Sequence, residues 1–128
     1  HAKIIIANRT PDKAKMLSHD LEVNLKTHKF SEIQDLVPNL DMIINTSSLG
    51  MSGNENLNLN LKEAKKNLYI YDLVYKPSQT NLLKEAEINN LNYQNGLAML
   101  VHQAAESFRI WHGVYPEITN ELFEILKR

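Results

Sequence analysis

Four short apolar runs punctuate the chain: Lys3 to Ala7, Met42 to Asn45, Leu68 to Tyr75, and a weaker one at Leu91 to Gln94. Each is continuous rather than alternating, which predicts strands buried on both faces, as in a parallel sheet covered by helices. Helical signals fall between them. Thr10 is placed as an N-cap, Pro11 as the first helical residue, and Ala14, Leu17 and Leu21 repeat at helical spacing. Thr80 likewise precedes the helix-forming stretch Asn81 to Ala86. "LKTHKFSEIQDLV" (25–37) holds one more short strand. "GNENLNLNLKEAKKN" (53–67) reads as a polar loop with a short helix. Strands alternating with helices predict an α/β fold, a Rossmann-like doubly wound parallel sheet with right-handed crossovers.

The longest helix is predicted over Gly96 to Trp111. Leu97, Leu100, Val101, Ala104, Phe108 and Trp111 make its apolar stripe, while His102, Glu106 and Arg109 face solvent. A third line, Gly96, Met99, Gln103 and Ser107, is small or polar and suits the border of a cleft. A last amphipathic helix is predicted from about Glu117 to the C-terminus, with Ile118, Leu122, Ile125 and Leu126 on its buried side.

Composition narrows the classes. The chain has 128 residues, 43% hydrophobic and 23% charged, enough for a globular core and the size of one ordinary domain. A net charge of -1 offers no electrostatic case for nucleic acid or an acidic membrane surface. With no cysteine there is neither a disulfide framework nor a thiolate metal site, and the five histidines lack metal-ligand spacing. No apolar run is long enough to span a bilayer, and a cytoplasmic location is the default expectation.

In open α/β sheets ligands sit beyond the carboxyl ends of the strands, so those positions are the ones to inspect. The first run ends in Asn8-Arg9-Thr10, with Lys13 one turn into the helix. Where an NAD site carries an acidic residue, this position offers an amide and a guanidinium. Arg9 can pair bidentately with a 2′-phosphate and stack on adenine, and Thr10, Lys13 and the helix N-terminus add donors. The other reading, a surface turn with an arginine and a capped helix, is equally open from these residues alone. The second run ends in "NTSSLGM" (45–51), where Thr46 and Ser47 can donate to a cofactor or simply belong to a polar loop. The third ends in "DLVYKPSQT" (72–80). Tyr75 can offer its hydroxyl to a polyol or only pack, and Asp72, inside an apolar run, must be hydrogen-bonded if buried.

Taken in order, "NRTPDKA", "DMIINTSSLGM", "YDLVYKPSQTNLL" and "NGLAMLVHQAAESFRIWHG" resemble the cofactor-binding half of shikimate dehydrogenase over nearly the whole chain. The resemblance implies interconversion of shikimate and 3-dehydroshikimate with NADP, in chorismate and aromatic amino acid biosynthesis. It implies that Asn8, Arg9, Thr10 and Lys13 form the 2′-phosphate loop and that Thr46 and Ser47 lie beside the nicotinamide half. It puts backbone positions of Leu73 and Gly96 near the nicotinamide and packs Met99 on its ring. Tyr75 and Gln103 become the substrate-reaching side chains. The partners implied are small molecules, and a homodimer of the parent is compatible.

The family's catalytic Lys and Asp, its Gly-rich loop and the first strand are expected to precede His1. Residues 1–128 are then a partial NADP-binding, Rossmann-like domain, with 97–128 the C-terminal helices packing back toward that missing substrate domain, and the 128-residue chain alone is expected to be inactive. Two alternatives stand beside this reading: a quinate/shikimate paralogue, and a non-catalytic fragment that binds nucleotide weakly.

Overall fold

In the computed structural model, residues 2–21 and 25–127 are described. The chain divides into two compact units, residues 1–40 and 41–128.

In the first unit, β1 (Ile5–Asn8) pairs in parallel with β2 (Lys26–Lys29), Ile5 opposite Lys26 and Asn8 opposite Lys29. Between them runs α1 (Pro11–Asp20), with Thr10 in the extended conformation of an N-cap and Pro11 at the first turn. Thr10 occupies the cap position without capping through its side chain. Its backbone N–H instead donates to Asn8 Oδ1 at 2.8 Å. Ala14 is buried, but Leu17 and Leu21 are 44% and 57% exposed, because two four-residue strands offer too little surface for the whole stripe of a ten-residue helix. A 3-10 turn (Phe30–Glu32), the one-turn α2 (Ile33–Leu36) and a second 3-10 turn (Val37–Asn39) complete the unit and bury Val37. His28 Nδ1 lies 3.0 Å from Glu32 Oε2, and this hydrogen bond, with one from the Lys29 N–H, holds the Glu32 carboxyl below the usual range.

The second unit carries a parallel sheet in the order β3 (Met42–Asn45), β4 (Tyr69–Asp72), β5 (Asn92–Asn95). Met42, Tyr69 and Asn92 are in register. Among the described residues β1 has a strand neighbour on one side only, and so does β3. α3 (Asn81–Ile88) packs on β4 and β5 and buries Leu82, Leu83 and Ala86. Thr80 caps it, its Oγ1 accepting from the Leu83 N–H at 3.3 Å. α4 (Leu97–His112) ends in a left-handed Gly113, whose N–H donates to the Arg109 carbonyl. α5 (Asn120–Leu126) follows.

The fold is α/β, parallel, open and Rossmann-like, but three expectations need correction. The strands are not buried on both faces: only β4, in the middle of its sheet, has fully buried residues, Ile70 and Asp72, while Met42 and Ile44 of β3 are 46% and 52% exposed. Residues 53–67 contain no helix. Leu57, Leu59 and Leu61 are buried between exposed asparagines, with Asn58 and Leu61 bonded to Asn81 and Glu85 of α3. The repeat "LNLNL" is an alternating pattern with one apolar face, and its period of two signals extended chain.

Both long C-terminal stripes are buried less than expected. Burial along α4 follows Leu97, Val101 and Ala105; Ala104 is exposed, and Phe108 and Trp111 are 40% and 77% exposed. A helix of 16 residues runs about 24 Å, nearly twice the roughly 13 Å of a four-residue strand, so a strand of this sheet could flank only part of its length. α5 begins at Asn120 and has no buried residue, with Ile125 and Leu126 at 55% and 45% exposure.

Candidate functional site

Within the first unit, the end of β1 turns into α1 through Asn8, Arg9 and Thr10. Asn8 Oδ1 accepts from Thr10 N–H, an Asx turn that sets the backbone of Arg9, and Lys13 N–H donates to the Thr10 carbonyl at 3.1 Å. Arg9, Thr10 and Lys13 are exposed. Two cations therefore stand beside a helix N-terminus, where an anion is favoured by both side-chain charge and backbone N–H groups.

Within the second unit, the ends of β3 and β4 open into a cleft of about 280 Å³ lined by Ser47, Met51, Ser52, Leu73, Val74, Tyr75 and Lys76. A buried polar network builds it. Asp72 is 0% exposed; its Oδ1 accepts from Asn45 Nδ2 at 2.9 Å and Val74 N–H at 3.1 Å, and its Oδ2 accepts from Thr80 Oγ1 at 2.6 Å. Asn45 passes this order to the next turn. Its Oδ1 accepts from the N–H and hydroxyl of Ser47 at 3.0 and 2.7 Å, and its Nδ2 donates to the Leu49 carbonyl. A carboxylate deep in an apolar strand thus ties together both loops that wall the cleft. Gly50, at φ 92°, lets the first loop turn beside Thr80, whose Cγ2 would be 3.1 Å from an added Cβ. The Ser52 N–H to Lys76 carbonyl bond at 3.4 Å joins the two loops directly.

Of the residues singled out from sequence, Ser47, Leu73 and Tyr75 line this cleft. Gly96, at the start of α4, lies against Leu73 with its N–H on the Val74 carbonyl at 3.2 Å. Thr46 is exposed beside Ser47. Met99, 38% exposed, and Gln103, exposed, lie on the line of α4 that starts at Gly96 and are outside the cleft lining. The Gln103 carbonyl accepts from Ser107 Oγ at 2.9 Å. Met51, Ser52, Val74 and Lys76 line the cleft and were not anticipated. Lys76 was legible, since it follows Tyr75 at the same strand end and is a cation among hydroxyls. Among the described residues no cluster of three or more His, Asp or Glu could hold a metal, and no helix is long and apolar enough to cross a membrane.

Two family descriptions match the chain: "Shikimate / quinate 5-dehydrogenase" over residues 1–75 and "Shikimate 5'-dehydrogenase C-terminal domain" over residues 96–119. The first covers more than half of the 128 residues and takes in both strand-end turns. The chain belongs to the shikimate / quinate 5-dehydrogenase family.

Within that family it is 39% identical over 117 residues to a shikimate dehydrogenase (NADP(+)) of Pyrococcus abyssi, covering 91% of this chain and 43% of that protein. A shikimate dehydrogenase solved in complex with NADP+ matches with a TM-score of 0.76 and 34% identity, over 98% of this chain and 44% of that one. The Thermus thermophilus shikimate 5-dehydrogenase, solved in complex with NADP(H) and shikimate, matches with a TM-score of 0.72 and 28% identity, over 90% and 42%. The chain thus spans less than half the length of these shikimate / quinate 5-dehydrogenase relatives.

The Asp72 network gives this family member a measurable signature. Asp72→Asn keeps the side-chain shape but turns Oδ2 into a donor facing Thr80 Oγ1. It is expected to lower stability by about 1–2 kcal/mol, read as a lower urea midpoint with an unchanged m-value. A variant as stable as the parent would show that the Thr80 bond contributes nothing.

Proposed function

We propose that this chain is the NADP-binding part of a shikimate dehydrogenase that interconverts shikimate and 3-dehydroshikimate in aromatic amino acid biosynthesis, in the cytoplasm. The observation that carries the reading is the β1–α1 turn. An Asx turn presents Arg9 with Lys13 beside a helix N-terminus, in a chain whose family match includes that turn. Taken by itself, the second-unit cleft suits a nicotinamide in chemistry: Met51, Leu73 and Val74 offer apolar walls to a flat ring, and Ser47 and Ser52 offer hydroxyl oxygens to its amide.

In this reading Arg9 pairs with the 2′-phosphate and Lys13 and Thr10 support it. Ser47, oriented by Asn45, and Thr46 hold the polar edge of the nicotinamide, while Leu73, Gly96 and Met99 pack against the ring and exclude water. Bound NADP supplies the hydride acceptor. Tyr75 and Gln103 hold substrate oxygens, the amide of Gln103 being able to donate to one and accept from another. Proton transfer belongs to a Lys and Asp of the parent's substrate domain. The exposed apolar positions of α4 and α5, Trp111 among them, pack toward that domain.

The test is NADPH formation by the longest native product containing this stretch, given shikimate and NADP, with quinate and NAD in parallel. Shikimate-dependent NADPH is expected there, and none from the 128-residue chain alone. Turnover confined to quinate or to NAD would move the protein to the paralogue. No turnover with any pair would leave the reading without support and favour a non-catalytic fragment.

A further inference from the structure

The cleft is lined by one cationic residue that the roles above do not use. Among the described residues that line it, Lys76 is the one cation, beside Ser47, Ser52 and Tyr75 and the apolar Met51, Leu73 and Val74. Lining carboxylates are absent from that set. The nearest carboxylate in sequence, Asp72, is 0% exposed, and both its oxygens are occupied by Asn45, Val74 and Thr80. Asp72 therefore shapes the cleft without offering its oxygens to a ligand. Lys76 is held at the rim through its backbone, its carbonyl accepting from Ser52 N–H at 3.4 Å, while its side chain is exposed. Ion pairs elsewhere in the second unit occupy Lys65, Arg109 and Lys127, with Asp41, Glu106 and Glu124.

The Ser47 hydroxyl is spent on Asn45 Oδ1, which leaves Ser52 and Tyr75 as the lining hydroxyls; an ammonium on a flexible stem at the rim of such an apolar cleft selects an anionic oxygen group over a neutral one. Under the function proposed above, two groups have that chemistry, the carboxylate of the substrate and the phosphates of the cofactor. Lys76 directly follows Tyr75, whose hydroxyl is the proposed substrate contact. We infer that Lys76 is a specificity-determining residue of this cleft, binding the carboxylate of the substrate beside Tyr75. The inference rests on the shikimate reading and extends it to a residue outside the set assigned from the family resemblance. In mechanistic terms Lys76 acts on binding. Its interaction with the carboxylate is equally present before and during hydride transfer, so it lowers KM without raising kcat.

The experiment compares the wild-type longest native product with Lys76→Gln and Lys76→Arg. Lys76→Gln is expected to raise the KM for shikimate roughly 5- to 20-fold. kcat and the KM for NADP should stay within about twofold, and Lys76→Arg should recover most of the loss. Raising salt should weaken shikimate binding in the wild type more than in Lys76→Gln, a dependence that mere packing would not produce. The primary amide of shikimate, which lacks the charge, should bind both proteins alike. A loss falling on the KM for NADP would assign Lys76 to the cofactor phosphates and overturn the inference. An unchanged shikimate KM, or an equal loss for the amide, would also overturn it. Wild-type turnover tests the shikimate reading separately. If there is none, calorimetric titration of shikimate into wild type and Lys76→Gln reads the same ratio, and equal affinity, or binding to neither, overturns the Lys76 assignment.

Discussion

Arg9→Ala in the parent protein is expected to raise the KM for NADP roughly 30- to 100-fold. The KM for NAD should stay within about twofold. The estimate follows from the loss of a charge-assisted, bidentate pair, about 2–3 kcal/mol, which NAD never makes. Its size depends on the turn being rigid before ligand arrives, and the 2.8 Å bond from Thr10 N–H to Asn8 Oδ1 supplies that rigidity. Asn8→Ala should therefore produce a smaller loss in the same direction, because the guanidinium remains but its backbone is no longer held. Both effects should shrink as ionic strength rises, since Arg9 and Lys13 are exposed. Steady-state kinetics with the two cofactors at two salt concentrations would read all of this. A change in the NADP KM of less than threefold for Arg9→Ala would remove Arg9 from cofactor recognition and leave it a surface residue of a capped turn.

Gly96→Ala is expected to be the most destabilising single change among those considered. A Cβ at this position would sit 1.9 Å from the Leu73 carbonyl oxygen and 2.5 Å from its carbon. Both are backbone atoms in the segment leaving β4, so no flexible side chain can yield. The backbone of Gly96 has φ -76°, a conformation that any residue adopts, so the cost is steric throughout. About 4 kcal/mol is expected, at the upper end for overpacking, and for a unit of this size that corresponds to a fall in Tm of roughly 16 °C or more. Gly113→Ala is the control. It carries φ 76° with nothing within 4 Å of an added Cβ, so its cost is only the left-handed penalty of about 1 kcal/mol. Thermal unfolding of both variants separates the two causes. Equal shifts would mean that the α4 N-terminus can move away from β4, and that the close approach of Gly96 to Leu73 is not a fixed part of the cleft.

Much of the second-unit site was visible along the chain because it depends on local order. Strand ends can be read from where apolar runs stop, and in a parallel sheet the carboxyl ends all point one way. Ser47, Leu73 and Tyr75 therefore meet at one cleft without any long-range prediction. Asp72 could be recognised as buried and bonded because an unpaired carboxylate in an apolar strand is too costly. Its partners could not be named, since Asn45 is 27 positions away and joins it only through the β3–β4 register.

Other features were decided by packing. Leu97, Val101 and Ala105, rather than the longer stripe ending at Trp111, are the buried residues of α4, and which turns of a helix find a neighbour is not written in its own period. Leu57, Leu59 and Leu61 had a readable alternation, but their burial depends on α3 lying within reach of Asn58 and Leu61. Gly96 shows the division most plainly. Periodicity put it at the head of the long helix, at a line suited to a cleft. Only the tertiary structure revealed that it must be glycine, because the carbonyl of Leu73 occupies the space where a side chain would begin. Periodicity records which face a residue presents, and that is a property of the local helix or strand. How near another backbone comes depends on how separate elements cross, and nothing in a single segment encodes that.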